Sequence, residues 1–365
     1  MLSPKATIIG VINGLTIGSL FLKMETGMKR VLSGIRPTGD IHLGNYLGAI
    51  RNWVAMQNQM DENLFCIVDL HALTTLEDVK NLVGNTRIMA AAYIASGINP
   101  ARSSIFVQSH VPAHTELGWI FSCITPMGWL NRMTQFKEKA GKHRENACLG
   151  LLAYPVLMAA DVLIYKATHV PVGEDQKQHV ELMRDIAGLF NREFNKDVFT
   201  LPEPIITGSA TRIMSLRDGT AKMSKSDASE YSRIHMMDDA DALALKIRKA
   251  KTDADALPDT AKALVSRPEA ANLINIYAAL ANQTPDDVCQ KFAGQYFSTF
   301  KKELTDLLIA HILPIGQEMQ RLLQDKGELD QILGKGAAHA AALAETHMKE
   351  IREVVGLLKP NDSPF

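Results

Sequence analysis

From residue 29 onward the chain alternates short apolar runs with longer segments of helical period, and beyond about residue 236 the strand-like runs stop. Val31-Leu32-Ser33-Gly34 reads as a strand, and Ile35–Gly39 as a turn in which Pro37 fixes φ and Gly39 permits a sharp bend. Leu47, Ile50 and Val54 then recur at helical spacing. Leu64–Val68 is a second strand, ending at Asp69. Val79–Ser96 is a helix stopped by Gly97, with Pro100 beyond. Ser104–Gln108 is strand, His114–Ile124 helix, Gly150–Tyr165 an apolar helix, His169–Val172 strand and Asp175–Asn191 helix. This order predicts an α/β fold with a doubly wound, Rossmann-like parallel sheet. The stripes Leu273, Ile276, Leu280 and Leu304, Leu308, Ile312, Ile315 predict that the rest of the chain is all helical. The expected division is an extension over 1–27, with Met28 a natural start, an α/β catalytic domain over 28–236 and a helical domain over 237–365.

Composition narrows the function. The chain has 365 residues, 46% of them hydrophobic, enough for a large core. Residues 237–365 hold 15 Lys plus Arg against 19 Asp plus Glu, so an RNA partner there would meet a local patch and not a basic domain. Cys66, Cys123, Cys148 and Cys289 form no C-x-x-C pair, which argues against structural zinc. All four sit among apolar residues and are expected to be buried free thiols in a reducing compartment. No run is long enough to span a membrane. Ala6–Leu22 is uncharged, but its glycines, Asn13 and threonines make it a poor signal core.

Two segments carry candidate chemistry. Asp40-Ile41-His42-Leu43-Gly44-Asn45-Tyr46 places a histidine and a glycine where a strand gives way to a helix. A helix N-terminus presents free N–H groups, and Gly44 would let a nucleotide approach the backbone closely. Lys222-Met223-Ser224-Lys225-Ser226 is a loop with two lysines, two hydroxyls and no acid before Asp227. Both suit a polyphosphate. Taken alone, the first is more readily a capped turn with a surface histidine, and the second a solvated loop.

A third stretch bears on substrate. Tyr154, Met158 and Asp161 stand at i, i+4 and i+7 and share one helix face. An aspartate on an apolar face needs a partner, since burying an unpaired carboxylate is costly. That partner is either a nearby backbone group or a ligand with an N–H to give, and an indole is such a donor. His169–Gln176 leads from a strand into a helix at the sheet's carboxyl edge, where α/β proteins bind ligands.

In this order on an α/β pattern, the two segments resemble the signatures of class I aminoacyl-tRNA synthetases, written H-I-G-H and K-M-S-K-S. The second matches throughout, and the first has Asn45 in place of the last histidine. Met28–Ala55, Phe65–Thr74, Ile105–Lys139, Gly150–Ala187 and Met214–Ser226 are similar to bacterial-type tryptophanyl-tRNA synthetases. The resemblance implies ATP contacts from Arg36, Pro37, Thr38, His42, Gly44, Asn45, Ile213 and Lys222 through Ser226, including Met223, Ser224 and Lys225. It adds Lys139, with Gln135, at the phosphates and Gly173, Glu174 and Asp175 at the ribose. Lys222, Lys225 and His42 become the candidate catalytic residues. For tryptophan it implies Asp161 on the indole N–H, Tyr154 and Gln176 on the amino group, and Gly34, His71, Met158, Val170 and Val172 around the ring. Leu32 stands where well-known relatives carry phenylalanine.

The activity so implied is ATP-dependent formation of tryptophanyl-adenylate and transfer to tRNA(Trp). Mg2+ travels with ATP, the helical domain meets the anticodon, and the protein is a cytoplasmic homodimer. The tyrosine enzymes are the nearest rival, although they tend to carry Gln where Met158 stands. A non-catalytic RNA-binding relative is the other, but such relatives usually lose a signature lysine, and Lys222 and Lys225 are both present.

Overall fold

The computed structural model describes residues 27–75, 79–134, 147–173, 176–206, 212–225 and 227–359. Five parallel strands, β1 (Arg30–Ile35), β2 (Glu62–Ile67), β3 (Ser103–Val107), β4 (His169–Val172) and β5 (Glu203–Ile206), form one sheet in the order β3-β2-β1-β4-β5. The chain winds outward from β1 through β2 to β3, then returns to the other side of β1 for β4 and β5. β1 and β2 pair along their full length, from Arg30↔Glu62 to Ile35↔Ile67. β1 and β4 are in register only at Val31↔His169. Pro171, in the middle of β4, has no N–H for a ladder. The sheet therefore opens between the carboxyl ends of β1 and β4, the switch point of a doubly wound fold.

Side chains alternate across the sheet with the strand period of two. Val31, Phe65, Ile67, Ile105 and Val107 face one core, while Leu32, Leu64, Cys66 and Phe106 face the other. Among the described residues beyond 237 there are helices and no strand. These helices share the sheet's cores: Leu273, Ile276, Leu304, Leu308 and Ile312 join the first. The last helix, Lys326–Val355, contributes Leu329 and Leu333 to the first core and Ala340, Ala344, Met348 and Ile351 to the second. It passes between the two faces around the β3 edge at Gly336. A Cβ there would lie 2.0 Å from the Ile105 carbonyl oxygen, so only glycine permits the contact. Arg87–Asp330 and Arg352–Glu116 ion pairs flank it.

One expectation needs correction. Cys66 and Cys289 are buried, but Cys123 and Cys148 are exposed. Cys123 lies on the outer side of helix Ala113–Ile124 and Cys148 precedes helix Leu149–Leu163, so apolar sequence neighbours did not imply burial. In the first motif the helix starts at Leu43–Asn45, passes through a π-helical turn over Tyr46–Ile50 and resumes at Arg51–Met56. Leu47 and Ile50 are buried as expected, and half-buried Val54 packs against the same core beside Trp53.

Candidate active site

A cavity of about 390 Å³ lies at the opening between β1 and β4. β1 and the turn after it supply Gly34, Ile35 and Arg36; β4 and its exit supply Val170, Val172 and Gly173. Helix Leu149–Leu163 supplies Tyr154, Met158 and Asp161, and Gln176 stands at the entry to helix Lys177–Glu193. His71 lies just after β2. Every described residue expected around tryptophan therefore lines one cavity. Gly34 keeps its floor close-packed, since a Cβ there would lie 2.9 Å from Val68 Cγ1. Leu32, Trp53 and Val162 complete an apolar wall.

Asp161 is 2% exposed, and its partners come from three different helical segments. His71 Nε2 stands 2.7 Å from Oδ2; Gln108 Nε2 donates to Oδ1 at 2.6 Å, and His114 Nδ1 stands 2.6 Å from Oδ1. The Leu70 N–H donates to Gln108 Oε1 at 3.1 Å, which turns the amide's NH2 toward Asp161. With His114 Nδ1–H donating to the carboxylate, Nε2 accepts from the Tyr165 hydroxyl at 2.8 Å. Burial pushes the Asp161 pKa up, but the hydrogen bonds and nearness of His114 and His71 outweigh it and hold the carboxyl below the usual range. Asp161 is thus ionised. A carboxylate has about four acceptor positions. Three are taken, and the remaining one is on Oδ2, in the cavity wall.

Gln108 and His114 are neighbours of Asp161 that the sequence alone did not point to. Their signal was positional: Gln108 ends the expected third strand and His114 begins the expected helix, both at the sheet's carboxyl edge. Tyr154 lies with its hydroxyl 3.0 Å from His179 Nε2. Burial, against the charge of Arg36, pushes its pKa up to about 12, so the phenol keeps its proton.

The two motifs meet beside this cavity. Residues 213–223 form a hairpin: Met223 N–H donates to the Ile213 carbonyl at 3.1 Å, Ser215 N–H to the Ala221 carbonyl at 2.8 Å, and Met214 is bridged to Lys222. His42 is bridged to His235. A Cβ on Gly44 would lie 3.0 Å from the His42 ring and 3.8 Å from Ile213 Cβ, so the bare backbone forms a shelf between the motifs. Asn45 Oδ1 accepts the His42 N–H at 3.1 Å and fixes the helix entry. Burial, then the charges of His235, Lys222 and Arg233, lower the His42 pKa to about 4. Its Nδ1 is buried with no hydrogen-bond partner among the described residues. Lys225 Nζ donates to the carbonyl of Thr38, in the turn after β1 that also holds Arg36 and Pro37. Gln135, Lys139, Glu174, Asp175 and Ser226 lie outside the described residues.

The family model for class I tRNA synthetases of tryptophan and tyrosine matches residues 24–312. The chain belongs to this family. It is 55% identical over 348 residues to a tryptophan–tRNA ligase of Rhizobium meliloti, covering 90% of this chain and 98% of the relative. It is 51% identical to one of Brucella melitensis, covering 92% and 100%. Among solved structures, a tryptophanyl-tRNA synthetase from Campylobacter jejuni complexed with ADP and tryptophan superposes with a TM-score of 0.76 at 35% identity, covering 90% of this chain and 100% of that one. A tyrosyl-tRNA synthetase from Aeropyrum pernix, at 17% identity and a TM-score of 0.62, shares the fold. The chain functions as a tryptophan–tRNA ligase.

Proposed function

We propose that the cavity binds tryptophan with its indole N–H on the open position of Asp161 Oδ2. The observation that carries this reading is a buried, ionised carboxylate with one acceptor position left, set in an apolar wall of Met158, Val170 and Val172. A donor-only ring N–H matches it; a hydrocarbon ring would leave it desolvated and unpaired. Met158 offers no polar group to a phenol, which disfavours tyrosine. Tyr154 and Gln176 take the substrate ammonium and leave its carboxylate toward the two motifs.

ATP lies across Gly44, with phosphates on the helix N-terminus at Leu43–Asn45 and near His42 Nδ1, which has no partner among the described residues. Ile213 and Met223 flank the adenine, and Gly173 the ribose. The amino acid carboxylate attacks the α-phosphorus, the bond to the bridging oxygen breaks, and pyrophosphate leaves. Lys222 and Lys225 stabilise the charge that grows on it. Lys225 is drawn off the Thr38 carbonyl as the phosphates arrive. Mg2+ comes bound to ATP oxygens, as is common for this ion.

The adenylate is then consumed by the terminal ribose of tRNA(Trp), with residues 237–365 toward the anticodon. The working form is a cytoplasmic homodimer. Trp119 at 72% and Met127 at 66% exposure support a partner on helices Ala113–Ile124 and Met127–Arg132. The test is ATP–pyrophosphate exchange with each of the twenty amino acids. Exchange driven by tryptophan alone is expected; equal exchange with tyrosine would refute the assignment of the pocket.

A further inference from the structure

Helix Pro268–Ala281 carries one polar side chain into an apolar interior. Asn272 is 1% exposed, between Leu273, Ile274 and Ile276 in the core. A buried amide costs free energy unless its donors and acceptor are matched. The lysine hairpin matches them with its backbone. Oδ1 accepts the Met214 N–H at 2.8 Å, and Nδ2 donates to the Met214 carbonyl at 2.9 Å and the Ser215 carbonyl at 3.3 Å. The side chain reads Met214 as a neighbouring strand would, through both its N–H and its C=O. Met214 is the residue bridged to Lys222.

Two further contacts hold the hairpin to the same end of this helix. A Cβ on Gly219, at the hairpin tip, would lie 2.4 Å from the backbone of Pro268 and Glu269. Lys251, whose N–H donates to the Leu216 carbonyl at 2.8 Å, pairs with Glu269 at 2.7 Å. The other end of the helix is tied to the helix that follows the first motif. Arg51, on the helix just beyond Gly44, donates to the Ala279 carbonyl and, at 2.6 Å, to Asn282 Oδ1. One helix thus touches both the hairpin that leads into Lys222 and the helix that follows Gly44.

We propose that Asn272 is a positioning residue for adenylate formation. It sets the height of the lysine hairpin over Gly44 through Met214, and helix Pro268–Ala281 is the strut that fixes the spacing of the two motifs. The inference rests on the assignment of Lys222 and Lys225 to ATP. A small misplacement of groups that act on the transition state costs rate more than binding.

The test compares wild type with Asn272→Asp, Asn272→Leu and Lys222→Ala. Asn272→Asp keeps the acceptor and shape but sets a carboxylate oxygen against the Met214 carbonyl; Asn272→Leu leaves both Met214 groups unmatched. Active sites are counted by the burst of adenylate formed, so misfolded protein drops out. Per active site, kcat of ATP–pyrophosphate exchange is expected to fall roughly ten- to a hundredfold in both Asn272 variants. The Kd for tryptophan, by fluorescence titration, should stay within about twofold. An unchanged kcat per site, with only a lower Tm, would make Asn272 a stability residue and overturn the proposal. So would a tryptophan Kd that weakens as much as kcat falls. Lys222→Ala reads the underlying assignment separately. Unchanged exchange in that variant would refute the role of the lysine itself, and the positioning role with it.

Discussion

Replacing Asp161 with asparagine isolates one contact. Gln108 and His114 both act on Oδ1, so the amide oxygen keeps that place and the NH2 takes the place of Oδ2. His71 can adapt by moving its ring proton to Nδ1 and accepting at Nε2. The indole N–H cannot adapt; it meets a donor where it had an anionic acceptor. A hydrogen bond to a charged group contributes roughly 1.5–3 kcal/mol. At about 1.4 kcal/mol per tenfold, kcat/KM for tryptophan should fall roughly ten- to a hundredfold. Phenylalanine brings no ring donor and should lose much less. The assay is ATP–pyrophosphate exchange with both amino acids, in wild type and variant, with thermal unfolding as a control. The tryptophan-to-phenylalanine ratio should collapse by about the factor lost for tryptophan. If both activities fall together and the ratio holds, Asp161 is a structural centre for His71, Gln108 and His114, and the indole N–H is read elsewhere. Asp161→Ala answers less, because it orphans three buried donors at roughly 1–3 kcal/mol each.

Lys225→Ala should slow exchange about ten- to a hundredfold, if a lost charge-assisted contact to the leaving group is worth roughly 1.5–3 kcal/mol, with tryptophan affinity unchanged by equilibrium titration. Loss of tryptophan affinity alone would contradict that role. The folded-state pKa of His42, about 4, lies below its ordinary value of 6.5, so the unfolded chain binds more protons between these values. Stability should therefore fall as pH drops from 6.5 to 4, and His42→Gln should remove that component. Urea unfolding at several pH values within the window measures it, and parallel curves would show that His42 is not its source. Gly336→Ala should destabilise the fold by about 1–3 kcal/mol, because its Cβ meets the Ile105 carbonyl and overpacking a close contact forces backbone apart. An unchanged Tm would mean that the last helix is not pressed against β3.

The alternation of strand and helix was legible because both periods are written in single short windows: Val31–Gly34 and His169–Val172 each fall inside a strand. β5 was not. Pro202 and Pro204 make Glu203–Ile206 look like loop, and only its place at the sheet edge, which no local window contains, makes proline tolerable there. The same limit applies to the site. Tyr154, Met158 and Asp161 could be grouped from one helix period, but the donors that keep Asp161 ionised arrive from three other helical segments, 47 to 90 residues away in sequence. The division of labour was hidden too. Residues 237–365 read as a separate helical unit because their periodicity is helical throughout. Yet Leu273 and Leu304 lie in the core that holds Val31 and Ile105, and Asn272 and Arg51 tie the hairpin of Met214 and the helix beyond Gly44 to one helix. A helix can satisfy its own backbone anywhere in the fold, so periodicity reports its existence and not its address. The address is fixed by the unusual residue: an asparagine in an apolar stripe, or a glycine where a carbonyl must come within reach.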